Sequence, residues 1–158
     1  MLSDNAPPSV GYEEVRESPW LSTPVISRGT LHAAPPMLEK IASTSPQTWR
    51  LYPDHMEWFD ANETRVIRYE TQPQLGALAN ALRGVVFGDF SIISNDFNVH
   101  LEGTPESWRL RLTPATVELS GLLKELEFHG NGTHIEKFII IEAQGDTTTT
   151  VLSYVPLP

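Results

Sequence analysis

The eight residues Ser107–Pro114, SWRLRLTP, alternate too cleanly to be anything but an extended strand. Trp108, Leu110 and Leu112 point to one side, Arg109 and Arg111 to the other, and Pro114 ends the ladder because it has no N–H to donate. Phe97–Leu101 repeats the pattern before it, with Phe97, Val99 and Leu101 against Asn98 and His100. Leu122–Phe128, His134–Ala143 and Thr147–Val155 follow, separated by the turn residues Gly130-Asn131-Gly132 and Gly145-Asp146. Strands with one dry face and one wet face, joined by short turns, predict an antiparallel meander.

The first half reads less evenly. Val10–Leu21 shows little periodicity and is expected to be a short helix or an irregular lead-in, and Met1–Pro8 a frayed tail. Val25–His32 reads as a strand. Met37–Ala42, with Met37, Leu38 and Ile41 at helical spacing after Pro36, reads as a short helix. Thr48–Tyr52, Met56–Phe59 and Thr64–Glu70 are short strands. At Pro73–Val86 the period changes: Leu75, Leu78, Ala79, Leu82, Val85 and Val86 fall at helical spacing and make a broad apolar stripe. Its other face, with Gln74, Ala77, Asn80, Ala81 and Arg83, is only weakly polar, so the helix needs burial on most of its circumference. The dry face of the sheet is the available partner. The expected fold is α+β: a curved, incomplete antiparallel β-barrel with helices packed into or lidding the concave face.

The chain has 158 residues, enough for one domain, here 10–158 after a flexible tail 1–9. Its net charge of −9 argues against a nucleic-acid partner and against simple adhesion to anionic lipid. No stretch approaches the length of a membrane span. The absence of cysteine removes disulfides, thiolate metal sites and cysteine nucleophiles.

Chemistry is hard to place. His129 and His134 flank one turn, with no third ligand evident and no HExxH. Asp60-Ala61-Asn62 begins like a calcium loop, but Arg65 stands where glycine is required, so the turn reading holds. There is no GxSxG, P-loop or GxGxxG. Glu13-Glu14, Glu125 and Glu127 read as solvated. Neither a catalytic residue, a metal site nor a cofactor is expected. What remains is apolar bulk, and in one dimension a filled core and a lined chamber look alike.

Several local motifs, in order, resemble the periplasmic outer-membrane lipoprotein carriers, the LolA-like family. They are Ser27-Arg28-Gly29-Thr30-Leu31, Ser45-Pro46-Gln47-Thr48-Trp49-Arg50, Met56-Glu57-Trp58, the central helix, Leu110-Arg111-Leu112-Thr113-Pro114, and Gly132–Phe138 followed by Glu142–Asp146 and a Thr-rich strand. The likeness runs from about Thr23 to Val155 and is that of a divergent member. It implies an unclosed barrel lidded by helices over a cavity for acyl chains, with no catalysis. It also implies a periplasmic location after removal of a signal peptide, and an inner-membrane transporter and an outer-membrane acceptor as partners; a monomer is expected. The chamber walls would be Trp49, Leu51, Met56, Trp58, Phe97, Val99, Trp108, Leu110, Leu112 and Phe128. Leu75, Leu78, Leu82 and Val86 would face them from the helix, and Arg50 is the positional match for an arginine that latches the lid. The chain closes at Tyr154–Pro158 without the extra C-terminal strand of some carriers, which leaves a lipoprotein, a glycolipid or a lipid-linked pigment as cargo. The competing readings are an interaction module with a filled β core and an enzyme built on a cavity carboxylate.

Overall fold

The computed structural model describes residues 9–93 and 95–154. The expected tail over Met1–Pro8 lies outside them. Eleven strands form one antiparallel sheet, curved and not closed. They are β1 (Ser9–Glu17), β2 (Val25–Ala34), β3 (Met37–Ala42), β4 (Gln47–Leu51), β5 (His55–Phe59) and β6 (Thr64–Arg68), then β7 (Phe97–Thr104), β8 (Ser107–Pro114), β9 (Leu123–Asn131), β10 (His134–Glu142) and β11 (Thr147–Ser153). The order is β6-β5-β4-β3-β2-β1-β11-β10-β9-β8-β7. Two meanders therefore meet where β1 pairs with β11, and the helix α1 (Pro73–Phe87) joins their outer ends. A short helix α2 (Val117–Ser120) links β8 to β9, with the Thr116 hydroxyl capping Leu119 N–H.

Two expectations are corrected. Val10–Leu21 is neither helix nor lead-in: β1 occupies Ser9–Glu17 near the middle of the sheet, paired on both sides. Its sequence hides the alternation because the inward face mixes Tyr12 with Glu14 and Arg16, charges satisfied by Lys40 and Asp146. Met37–Ala42 is the strand β3, held between β2 and β4. Leu38 is buried and Ile41 is exposed, so the pair that suggested a helical stripe lies on opposite faces.

The dry face carries two apolar clusters, one at each end of the sheet. The larger joins Leu110, Leu112, Leu126 and Phe128 to Ala77, Ala81 and Val85 of α1. The smaller joins Met56 and Tyr69 to Ala79, with Trp49, Leu51, Ile67 and Leu75 around them. The helix packs closely on the segment that leads into it: Gly76 lies under Tyr69, where a Cβ would come within 2.6 Å. Proline opens the helix at its first position, and Gly88, at φ 68°, closes it in the left-handed conformation.

The wet face is a lattice of ion pairs. Arg109 Nε donates to Glu127 at 2.6 Å, His129 Nε2 lies 3.0 Å from the same carboxylate, and Arg111 holds Glu125 at 2.8 Å. Burial alone would raise the Glu127 pKa; the hydrogen bonds of Arg109 and His129 outweigh it and hold the carboxyl below its ordinary value. A depressed carboxyl pKa gives stability that is complete above the unfolded value, about 4.3, and is lost as pH falls through the folded one. Urea midpoints measured from pH 7 to pH 3 should therefore drop below about pH 4.3 in the native chain. Glu127→Gln should start lower at pH 7 and fall less over the same window. An unchanged acid slope would remove Glu127 from the account.

Candidate functional site

A cavity of about 480 Å³ opens on the rim where the β7–β8 and β9–β10 hairpins turn. Val85, Phe90, Leu101, Trp108 and Leu110 supply its apolar wall, and backbone from Gly103–Pro105 and Gly132 completes it. The wall is built by strand alternation. Leu101 faces Leu110 across β7 and β8, and Trp108 faces Gly130 across β8 and β9. The Trp108 indole lies directly over Gly130, in the space any Cβ would fill, and its Nε1–H donates to the Gly132 carbonyl at 3.0 Å. Leu110 is 1% exposed, whereas Leu101 is 64% and Phe90 49% exposed, so the floor is dry and the mouth greasy and open. Glu102, the carboxylate at this cavity, pairs with Arg109. The carboxyl pKa values that move among the described residues (Asp54, Asp60, Asp146 and Glu127) all move down, toward ionised groups fit for ion pairing.

The fourteen residues expected to line one chamber fall into separate groups. Trp108 and Leu110 line the cavity. Leu112, Phe97 and Phe128 are buried in the larger cluster beside it, with Leu78, Leu82 and Val86 half-buried against them. Val99 is 48% exposed on the edge strand β7. Trp49, Leu51, Met56 and Leu75 belong to the smaller cluster, where Trp58 tilts against Trp49 with ring centres 6.1 Å apart. Val85, Phe90 and Leu101 are the apolar cavity residues absent from the expected walls. Leu101 was legible as the third apolar residue of its strand. Phe90 lies in the turn of 3-10 helix Phe90–Ile92 after α1, which no periodicity marks.

Between the clusters the dry face turns polar. Lys40 Nζ meets Glu14 Oε1 at 2.5 Å, and Ser27 Oγ donates to Glu14 Oε2 at 3.3 Å. The Tyr12 hydroxyl and Thr150 Oγ1 are buried here without a hydrogen-bond partner among the described residues. Burial first, and Glu14 second, push the Tyr12 pKa up to about 12.

Arg50 does not reach the helix. It extends from the opposite face of β4, where Nε donates to Glu39 at 2.7 Å and the guanidinium covers the Phe59 ring at 4.9 Å. The arginine that ties helix to sheet is Arg83. Gly76, Asn80, Arg83 and Phe87 lie along one stripe of α1, at spacings of four, three and four residues. Arg83 Nε donates to the Pro36 carbonyl in the β2–β3 turn at 2.7 Å, and Nη1 donates to Asn80 Oδ1 at 2.8 Å. Asn80 reaches in turn to the Pro53 carbonyl in the β4–β5 turn at 3.4 Å.

His129 and His134, the weighed metal pair, part company: His129 binds Glu127 and His134 packs edge-on against Tyr154. Among the described residues no group of three or more His, Cys, Asp or Glu is placed to hold a metal ion, and no helix is long and apolar enough to cross a membrane. Asp60 Oδ1 accepts from the N–H groups of Asn62 and Glu63, which makes the calcium-like stretch an ordinary capped turn.

An unclosed antiparallel sheet plugged by an apolar helix, with a dry cavity left at one rim, defines a protein built around apolar surface. The chain belongs to the family of outer membrane lipoprotein carrier protein LolA-like proteins, whose family model matches residues 1–155. Proteins of this family are carriers, not enzymes. Among solved structures, the chain is similar to a LolA superfamily protein, NE2245, from Nitrosomonas europaea, at 12% identity, with a TM-score of 0.44 over 95% of this chain and 86% of that one. A putative outer membrane lipoprotein-sorting protein domain from Vibrio parahaemolyticus is similar at 9% identity, with a TM-score of 0.42 over 92% and 83%. No curated protein matches the sequence.

Proposed function

We propose that this chain carries the acyl chains of a lipoprotein or another amphiphile through the periplasm, between the inner and outer membranes, without catalysis. The observation that carries the reading is the cavity beside α1: about 480 Å³, dry at Leu110 and open at Phe90 and Leu101. That volume falls within the roughly 300–1,000 Å³ of small-molecule sites. Burying a chain gains about 0.8 kcal/mol per methylene, so retention needs no polar contact and release needs only a competing apolar site. An inner-membrane transporter and an outer-membrane acceptor would supply those competing sites. The net charge of −9 keeps the loaded carrier off anionic surfaces.

Mass spectrometry of an organic extract, taken from the protein purified out of its own cell envelope, is the test. A stoichiometric acylated molecule is the expected result. In the same preparation an apolar fluorescent probe should bind once per chain. Leu101→Asp, at the exposed mouth, should weaken that binding several-fold while leaving the urea midpoint nearly unchanged. An empty extract together with no probe uptake would leave an interaction module, with the exposed strand β7 as its recruiting edge.

A further inference from the structure

Arg83 is 4% exposed and, among the described residues, no carboxylate faces it. That is unusual in a chain of net charge −9, where seven other arginine and lysine side chains form ion pairs with carboxylates. A guanidinium has five N–H donors. Those of Nε and Nη1 that are placed go to the neutral oxygens of Pro36 and Asn80, and the face of the group lies over the Phe87 ring at 5.7 Å from its centre. Buried charge without a counter-charge is costly, and neutral acceptors offset only part of that cost.

A second observation points the same way. Tyr69, 8% exposed, packs its ring on Gly76 of the same helix stripe, and its hydroxyl is buried with no hydrogen-bond partner among the described residues. The Tyr69 and Arg83 side chains lie close enough to act on one another electrostatically, and the Asp54 carboxylate acts on Tyr69 in the opposite sense. A guanidinium without a counter-charge beside an unused phenol donor is the chemistry of a phosphate or carboxylate site. Its place in the fold is the rim where the β2–β3 and β4–β5 turns supply the Pro36 and Pro53 carbonyls. Antiparallel pairing puts these turns on the same rim as the cavity mouth at Gly103–Pro105 and Gly132. Val85, in the cavity wall, is two residues from Arg83 along α1.

We propose that Arg83 and Tyr69 form a subsite for the anionic group of the carried amphiphile, a phosphate or carboxylate whose chain lies in the cavity across α1. This deepens, and rests on, the carrier reading. Arg83 then has two partners in turn: the turn carbonyl that holds the helix down, and the anion that arrives with the cargo.

The test compares a monoacylglycerol phosphate with the monoacylglycerol of the same chain, each displacing an apolar fluorescent probe, with inorganic phosphate alone as a third arm read by thermal shift. The native chain should bind the phosphate-bearing lipid at least tenfold more tightly than the neutral one. Arg83→Gln should bring that ratio close to one without weakening the neutral lipid more than twofold. Tyr69→Phe removes a hydroxyl that has no partner, so it should fold as well as the native chain and still reduce the ratio severalfold; it keeps the test decisive if Arg83→Gln unfolds. Equal binding of the two lipids by the native chain would overturn the subsite and leave the carrier standing. A thermal shift with phosphate that Arg83→Gln abolishes, without uptake of either lipid, would keep the anion site, make a free anion its ligand, and overturn the carrier reading.

Discussion

Replacing Gly29 by alanine should lower folding stability by about 3 kcal/mol, the upper range of overpacking in a core. Gly29 sits in β2 opposite Tyr12 of β1 and Ala42 of β3. A Cβ there would run into the backbone carbonyl of Ile41 and come within 2.9 Å of the Tyr12 ring. The carbonyl belongs to a paired strand and cannot rotate away. The ring is 4% exposed and already covers the position. Relief requires β2 and β3 to separate near the middle of the sheet, where both meanders are tied together. The control is Gly11→Ala, one strand away, where the nearest atom to a new Cβ is 3.7 Å off, an ordinary contact. Urea denaturation of both variants checks the argument. A Gly29→Ala midpoint within error of the Gly11→Ala midpoint would show that the sheet yields locally there.

The second meander, β7–β11, was legible because its two faces differ in chemistry. Trp108, Leu110 and Leu112 are sorted from Arg109 and Arg111 by simple alternation, and the register confirms the sorting, with Leu112 opposite Leu126 and Arg111 opposite Glu127. The first meander was harder because its inward face is not uniformly apolar. Glu14, Ser27 and Lys40 stand on that face in β1, β2 and β3, and their mutual hydrogen bonds make the burial tolerable. A partner two strands away cannot be read from a strand in isolation, so β1 had no visible pattern.

The helix was legible in part. Of the expected stripe Leu75, Leu78, Ala79, Leu82, Val85 and Val86, Ala79 and Val85 are buried and the other four are half-buried against the two apolar clusters. The other buried positions of the helix include small residues, Gly76, Ala77, Ala81 and Gly84, with Gly76 against Tyr69 and Gly84 against Ile93. Close packing selects small side chains at the contact, and a scale of hydrophobicity ranks those below leucine. The fourteen expected walls divide between the two clusters and the cavity at one rim, with Val99 exposed on the edge strand. Arg83, which sequence pattern placed on a weakly polar face, is among the most buried charged groups of the described residues.

The cavity has a matching weak point at Gly130. Alanine there would place a Cβ inside the indole of Trp108, on the atoms Cζ2 and Cε2. Here the obstacle is the end of a side chain, so the ring, not the backbone, should move. Swinging it out breaks the bond from Nε1–H to the Gly132 carbonyl and strips one wall from the cavity. Gly130→Ala should therefore cost about 1–3 kcal/mol, less than Gly29→Ala, but reduce uptake of an apolar fluorescent probe by tenfold or more. Trp108→Ala gives the complementary result: it removes the same wall without a clash, so uptake should fall while a second substitution at Gly130 adds little further loss. The tryptophan emission of Gly130→Ala should also shift toward that of a solvated indole. Native-like probe binding in Gly130→Ala, with an unshifted emission, would mean that Trp108 is not a wall of the working site. The carrier proposal would then lose its cavity while the fold stood unchanged.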